Sequence, residues 1–179
     1  MKTVKLSEVK HGGIFKILDI EFINFILDEK TSIAVTKNTV FDSIFDRENN
    51  NLAESVVLEK LNEEFLPKII SAVGEENVLE FETDLTTLDG LKPYKPLKSK
   101  ISLPTFDFYR SNVEIFDKYK LDKWWWLSTP DSAQPHYNPV WVLCVSPRGY
   151  FDYFSYCDDD GVRPFLHFES SISVSCEEE

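Results

Sequence analysis

Three tryptophans in a row, Trp124, Trp125 and Trp126, restrict this chain more than any other feature. Consecutive side chains on a strand point to opposite faces, so three adjacent indoles cannot share one core. At least one must pack on another layer or line a surface. The run continues as Leu127-Ser128-Thr129-Pro130, and Gly161-Val162-Arg163-Pro164-Phe165-Leu166 follows further along. Pro164 holds Arg163 extended, and the Arg163 guanidinium can satisfy several carbonyls or a carboxylate. Trp125 and Trp126 would each bury roughly 150–250 Å². Trp125, Trp126, Gly161, Arg163 and Pro164 therefore read as fold determinants rather than ligand contacts.

Around this centre the pattern alternates between strand and helix. Ile14 to Ile23 is β-branched and aromatic, opened by Gly12-Gly13, and reads as a strand. Leu27 to Lys30 makes a hairpin connection to a second strand, Ser32 to Thr36. Asn49-Asn50-Asn51 marks a loop. Val56, Val57, Leu61, Phe65 and Leu66 then recur at helical spacing, with Asn51 as N-cap and Glu54 completing a capping box. The apolar stripe runs past Pro67 to Val73, which argues for further helical turns before Gly74. Val78 to Phe81 suggests a short strand, and Pro93 and Pro96 make a loop of Leu91 to Pro96. Ser99 to Pro104 reads as a strand. Phe106 to Tyr119 reads as a second helix with Tyr109, Val113, Phe116 and Tyr119 on one face. Strands follow at Trp124–Leu127, Val140–Val145, Phe151–Tyr156, Val162–Phe168 and Ser171–Ser175. The fold class expected is α+β, a curled antiparallel sheet with two helices. One domain over 1–179 is the simplest division, with 1–98 holding a strand pair and helix and 99–179 a helix and antiparallel strands.

Charge narrows the partners. The chain of 179 residues carries a net charge of −12, which repels nucleic acid and anionic membrane surfaces. The charges are segregated. Glu75, Glu76, Glu80, Glu82 and Asp84 come without a base among them; Lys92, Lys95, Lys98 and Lys100 follow without an acid; Asp158, Asp159 and Asp160 form a third block. A solvated surface is one reading, and an acidic face that competes for a nucleic-acid channel is the other. No apolar run reaches the roughly 18–20 residues of a membrane helix, and the start, Met1 to Lys5, shows no secretory core. A cytoplasmic protein, in a host cell, is expected.

Three cysteines, Cys144, Cys157 and Cys176, are odd in number and widely spaced, which argues against a disulfide framework. A zinc site from Cys157, Cys176 and one of His11, His136 or His167 is the sharper alternative, but no CxxC or HxxxH spacing supports it. Asp158-Asp159-Asp160-Gly161 lacks the alternating ligands and terminal Glu of an EF-hand. His167 and Ser170-Ser171 have no third group to make a nucleophile, and no glycine loop could cradle phosphate. No cofactor and no catalytic activity are expected.

The segments Trp125 to Pro130 and Gly161 to Pro164, with weaker support from Ile14–Thr36, Asn50–Asn62 and Ile101–Pro104, resemble an uncharacterised domain family of Firmicutes and their phages. Leu52 stands where that family usually has an aromatic residue, and Glu59 where it usually has Arg. The resemblance implies a C-terminal half similar to C-type lectins and formylglycine-generating enzymes, with recognition loops at Asp131–Pro139 and Phe151–Asp160. It also implies a phage setting. Small size, acidity and the absence of a catalytic set then point to a protein that binds and inhibits a host protein, most specifically an anti-CRISPR inhibitor of a Cas9-type nuclease. Such effectors hold nucleic acid in a positively charged channel. The expected contact residues are Glu75, Glu76, Glu80, Glu82, Asp84, Tyr153, Tyr156, Asp158, Asp159 and Asp160. The alternative is a lectin-like glycan or surface-ligand module of a phage particle, carried by Tyr137, Trp141, Tyr150, Tyr153 and Tyr156.

Overall fold

The structure, a computed structural model, describes residues 2–132 and 140–176. Its strands are β1 (Lys2–Lys5), β2 (Ile14–Ile17), β3 (Ile20–Ile26), β4 (Thr31–Thr36), β5 (Phe41–Ile44), β6 (Val78–Leu79), β7 (Phe81–Thr83) and β8 (Leu97–Ser99). The second half adds β9 (Trp125–Pro130), β10 (Trp141–Val145), β11 (Phe151–Ser155), β12 (Asp159–Val162), β13 (Phe165–Glu169) and β14 (Ser173–Cys176). The helices are α1 (Val56–Lys60), α2 (Leu66–Val73), α3 (Phe106–Ser111) and α4 (Val113–Lys118). The class is α+β with a curled antiparallel half-barrel. One sheet runs β1-β14-β2-β3-β4-β13-β6, a second runs β11-β10-β9-β12-β5, and β7-β8 stands apart as a ribbon.

The tryptophan run is explained by two-sided burial. Trp126 packs into an apolar cluster with Phe45, Leu52, Val142 and Cys144, while Trp125 packs into another with Tyr109, Phe116 and Val145. Strand alternation thus sends neighbouring indoles into two different cores. The side of Trp126 is closed by α1 and α2 through Val57, Leu61 and Ile69, and the side of Trp125 by α3 and α4. Trp124 is half-buried against Phe154, ring centroids 4.6 Å apart.

Several local expectations are corrected. The first expected strand is a hairpin: β2 and β3 pair Ile17 with Ile20 across a turn in which Leu18 takes φ 56°. A β-branched, apolar run hides that turn because it lacks glycine or asparagine. The stretch expected as one strand from Val162 to Phe168 is two, β12 in one sheet and β13 in the other, and Arg163-Pro164 makes the crossing. β1 and β5 were not anticipated from the pattern. Ser55, not Asn51, caps α1, its hydroxyl accepting from Leu58 N–H at 3.2 Å, while Asn51 caps a preceding 3-10 turn. Pro67 is accommodated by a π-helical turn over Leu61–Phe65, in which Leu66 N–H reaches back to Leu61. The second helix breaks at Asn112, whose side-chain amide donates to Phe108 O at 2.9 Å. The break shifts the helical phase and leaves Val113 exposed instead of in the apolar face.

Gly161 is where the two strands of the motif meet. Its N–H donates to Trp124 O at 3.0 Å, and it lies opposite Trp125 in the parallel contact of β12 with β9. A Cβ there would stand 2.9 Å from Trp124 O and would collide with the Thr39 methyl group. The Thr39 side chain can turn away, but a backbone carbonyl cannot. Gly161→Ala is expected to cost about 1–3 kcal/mol, read as a lower denaturant midpoint; an unchanged midpoint would show that β9 and β12 part freely.

Candidate functional site

The two acid-rich segments land in different places. Glu75 pairs with Lys100 at 3.4 Å, and Glu82 lies opposite Lys98 in the β7–β8 ladder. At these two places the segregated charge blocks of the sequence fold back on each other. Glu76 and Glu80 are exposed. Asp158, Asp159 and Asp160 belong to the other sheet. Asp158 accepts from Ser155 N–H at 3.0 Å, Asp159 is exposed, and Asp160 has one carboxylate oxygen buried without a hydrogen bond. Tyr156 is half-buried against the core. The expected strand over Phe151–Tyr156 is β11, in a ladder with β10, so the Phe151–Asp160 segment is mostly the strands β11 and β12 and not the loop that the resemblance implies.

What the fold does bring together is Glu82, Asp84 and Tyr153. Three clefts share their walls. The first, about 260 Å³, holds Phe81, Glu82, Asp84 and His167. The second, about 300 Å³, shares Asp84 and Thr105 with it and adds Leu88, Asp107 and Arg110. The third, about 420 Å³, shares Leu88 with the second and ends between Asp89, Asp131, Trp141 and Tyr153. Together they form a groove. Among the described residues that line it are five carboxylates (Glu82, Asp84, Asp89, Asp107 and Asp131) and one guanidinium, that of Arg110, while Lys98 lies opposite Glu82 in the β7–β8 ladder. Arg110 is itself engaged by Asp107 at 3.0 Å and lies over Phe106.

The groove wall between residues 84 and 91 is tightly built. Asp84 accepts from both Thr86 N–H (2.9 Å) and the Thr86 hydroxyl (2.6 Å), and these bonds hold its carboxyl below the usual range. Leu88 N–H donates to Pro130 O at 2.9 Å and Asp89 N–H to Asp131 O at 3.3 Å, tying the loop to the end of β9. One oxygen of Asp89 accepts from the Thr87 hydroxyl. Behind the cleft, buried Asn50 donates to Ser132 O (2.9 Å) and Trp141 O (3.0 Å) and accepts from the Tyr94 hydroxyl at 2.6 Å. Sequence reasoning took Asn50 only as a loop residue; three asparagines in a row mask which one is buried. Burial, and then the nearby charge of Asp89, push the Asp131 carboxyl above its usual range, against a lowering by the Ser132 side chain.

His167 stacks on Phe81 at 4.0 Å with the planes 8° apart, and burial lowers its pKa to about 4, so the imidazole is neutral at pH 7. Arg163 was expected to bind carbonyls or a carboxylate. Its Nε donates to Thr36 O at 2.8 Å, but its guanidinium otherwise lies over the faces of Trp125 (4.7 Å) and Phe116 (5.2 Å). It is 1% exposed, and its Nη2 makes no hydrogen bond among the described residues. Gly161 and Pro164 are buried beside it.

The cysteines are free, with Cys144 buried, Cys157 exposed and Cys176 half-buried. Burial raises the Cys144 thiol far above its ordinary value. Among the described residues no group of three or more His, Cys, Asp or Glu side chains is arranged to hold a metal. His11 instead accepts from Ile26 N–H at 3.1 Å, and His136, Tyr137 and the rest of the expected loop from 133 to 139 lie outside the described residues. Among those residues no helix is long and apolar enough to cross a membrane.

No protein-family model, curated protein or solved structure matches the chain.

Proposed function

We propose that this chain is a non-catalytic binding protein that docks its acidic groove on a basic surface of a protein partner. In its most specific form, it is a phage-encoded inhibitor that blocks nucleic-acid loading of a Cas9-type effector in the host cytoplasm. The observation that carries this reading is the groove itself, five carboxylates facing one already engaged guanidinium. A channel built to hold a nucleic-acid backbone is positively charged, and a partner of net charge −12 is drawn to it electrostatically. The resemblance of Trp125–Pro130 and Gly161–Pro164 to a phage domain family with a lectin-like C-terminal half supports the phage setting.

The test is titration of purified effector, without guide RNA, at low and at physiological salt. Replacing Glu82, Asp84 and Asp107 together by Gln, Asn and Asn is expected to weaken binding about tenfold or more. Glu75→Gln should leave it unchanged, since Glu75 does not line the groove. Absence of binding at low ionic strength by folded protein would remove the inhibitor reading. In that case weight moves to a glycan-binding module of a phage particle, which draws on the exposed rings of Trp141, Tyr150 and Tyr153.

A further inference from the structure

We infer that the cleft between Trp141 and Tyr153 is a guanidinium pocket, which takes an arginine side chain from an extended basic segment of the partner. The inference rests on the acidic-groove reading and names what its far end recognises. Trp141 is 40% exposed and Tyr153 48% exposed, their ring centroids 5.4 Å apart and their planes at 62°. The pair forms an angled aromatic wall at the exposed end of β10, on the face that carries Leu143 and Val145. Asp89 and Asp131 line the same cleft, and none of the described salt bridges involves either of them.

The chemistry of this wall selects among cations. A guanidinium is planar and weakly hydrated, so it can stack on an indole while its N–H fork reaches carboxylates. A lysine ammonium is a compact, strongly hydrated charge that gains from the carboxylates but little from the rings. Asp89 and Asp131 line one cleft, and the repulsion between them is relieved by a cation and by no neutral ligand. The pocket is also held in shape in advance: the Asn50 clamp and the Leu88–Pro130 and Asp89–Asp131 backbone bonds fix both sides of it. Such preorganisation reduces the ordering cost of binding.

Strand addition at this edge is disfavoured. β11 is the edge of its sheet, but Tyr153 N–H already donates to Asp152 at 2.9 Å and Ser155 N–H to Asp158 at 3.0 Å. With these backbone donors occupied, recognition falls to side chains in the groove. The groove continues from the pocket past Leu88 to Asp107 and Asp84, where further basic residues of the same segment would lie.

The experiment uses three peptides that alternate glycine with arginine, with lysine, or with neutral citrulline. Each is titrated calorimetrically into the intact protein at low salt, with tryptophan emission followed in parallel. The arginine peptide is expected to bind at least about fivefold tighter than the lysine peptide, and the citrulline peptide not to bind. Trp141→Ala and Asp131→Asn should each weaken the arginine peptide about tenfold. The near-isosteric Asp131→Asn keeps the test valid should Trp141→Ala disturb the β10 edge. Equal affinity for arginine and lysine peptides, unchanged in both variants, overturns the pocket while the acidic groove stands. Binding of a neutral oligosaccharide in a Trp141-dependent manner, with no response to the arginine peptide, overturns it in favour of a glycan site. No binding of any peptide also overturns it, and the effector titration then decides the groove reading separately.

Discussion

Truncating Trp126 to alanine is expected to cost about 5 kcal/mol, enough to consume much of the stability of a domain this size. Two effects add. The indole is 0% exposed and packs edge-on to Phe45 at 5.6 Å in the larger of the two apolar clusters, so its removal leaves a cavity between β9 and the α1–α2 side. Its Nε1 also donates to Ser43 O at 2.8 Å. Without it the Ser43 carbonyl of β5 loses that bond, a further cost of about 1 kcal/mol. Trp126→Phe separates the two effects. It keeps most of the volume and loses the hydrogen bond, so its cost should be about 1–3 kcal/mol. Trp141→Ala, at the exposed first position of β10, should change stability by about 1 kcal/mol or less. Denaturant unfolding with an unchanged m-value reads all three. A loss below about 1 kcal/mol for Trp126→Ala would show that the cluster collapses around the gap or that Trp126 is not at its centre.

The second large effect is the pH dependence carried by Asp160. Burial, and then the charges of Asp158, Asp159 and Asp42, raise its carboxyl to about 7 from 3.8. One of its oxygens is buried without a hydrogen bond among the described residues, and Lys123 is held by Asp42 at 2.7 Å. Cys144 on β10 faces the same region and stays a neutral thiol, raised by burial and by Asp160. The folded state binds the Asp160 proton more tightly than the unfolded chain does. Stability from this group therefore falls as pH rises from about 4 to about 7 and stays low above that. Asp160→Asn, neutral throughout, is expected to stabilise the protein by about 1–3 kcal/mol at pH 8, by less than half of that at pH 5 and by little at pH 4.

His167 works in the opposite direction. Burial depresses its pKa to about 4 from 6.5, so the unfolded chain binds its proton more tightly. Stability from His167 therefore rises as pH goes from about 4 to 6.5. In the native chain the two trends oppose each other across that window. In Asp160→Asn only the His167 trend remains, and melting temperature should climb more steeply between pH 4 and 6.5. Equal slopes in the two proteins would show that Asp160 ionises in the ordinary carboxylate range.

Both effects arise at positions the sequence singled out for other reasons. The tryptophan run was recognisable as a layer problem because strand alternation is a local property. The helical stripe from Val56 to Val73 was legible for the same reason, even across Pro67. Asp160 looked like one more acid in a polar turn, whereas the position of β12 between β5 and β9 buries part of its carboxyl. The candidate groove was half legible. Glu82, Asp84, Trp141 and Tyr153 were named from charge and aromatic patterning; Asp89, Asp131 and Leu88 complete the groove only because the 84–91 loop is tied to the end of β9.

The amino-acid order by itself determined the α+β class, the helical stretches, most strand positions, the need for more than one packing layer around Trp124–Trp126, and the excess of negative charge. These follow from periodicity, steric rules and composition, which act within a few residues. The tertiary structure alone decided that Arg163-Pro164 carries the chain from one sheet to the other and that Lys98 and Lys100 fold onto the acids of 75–82. It alone decided that Asn50 clamps a cleft formed by segments far apart in the chain. Those outcomes depend on which strands pair across long separations. That choice is made by global burial and hydrogen-bond satisfaction, which no local pattern encodes.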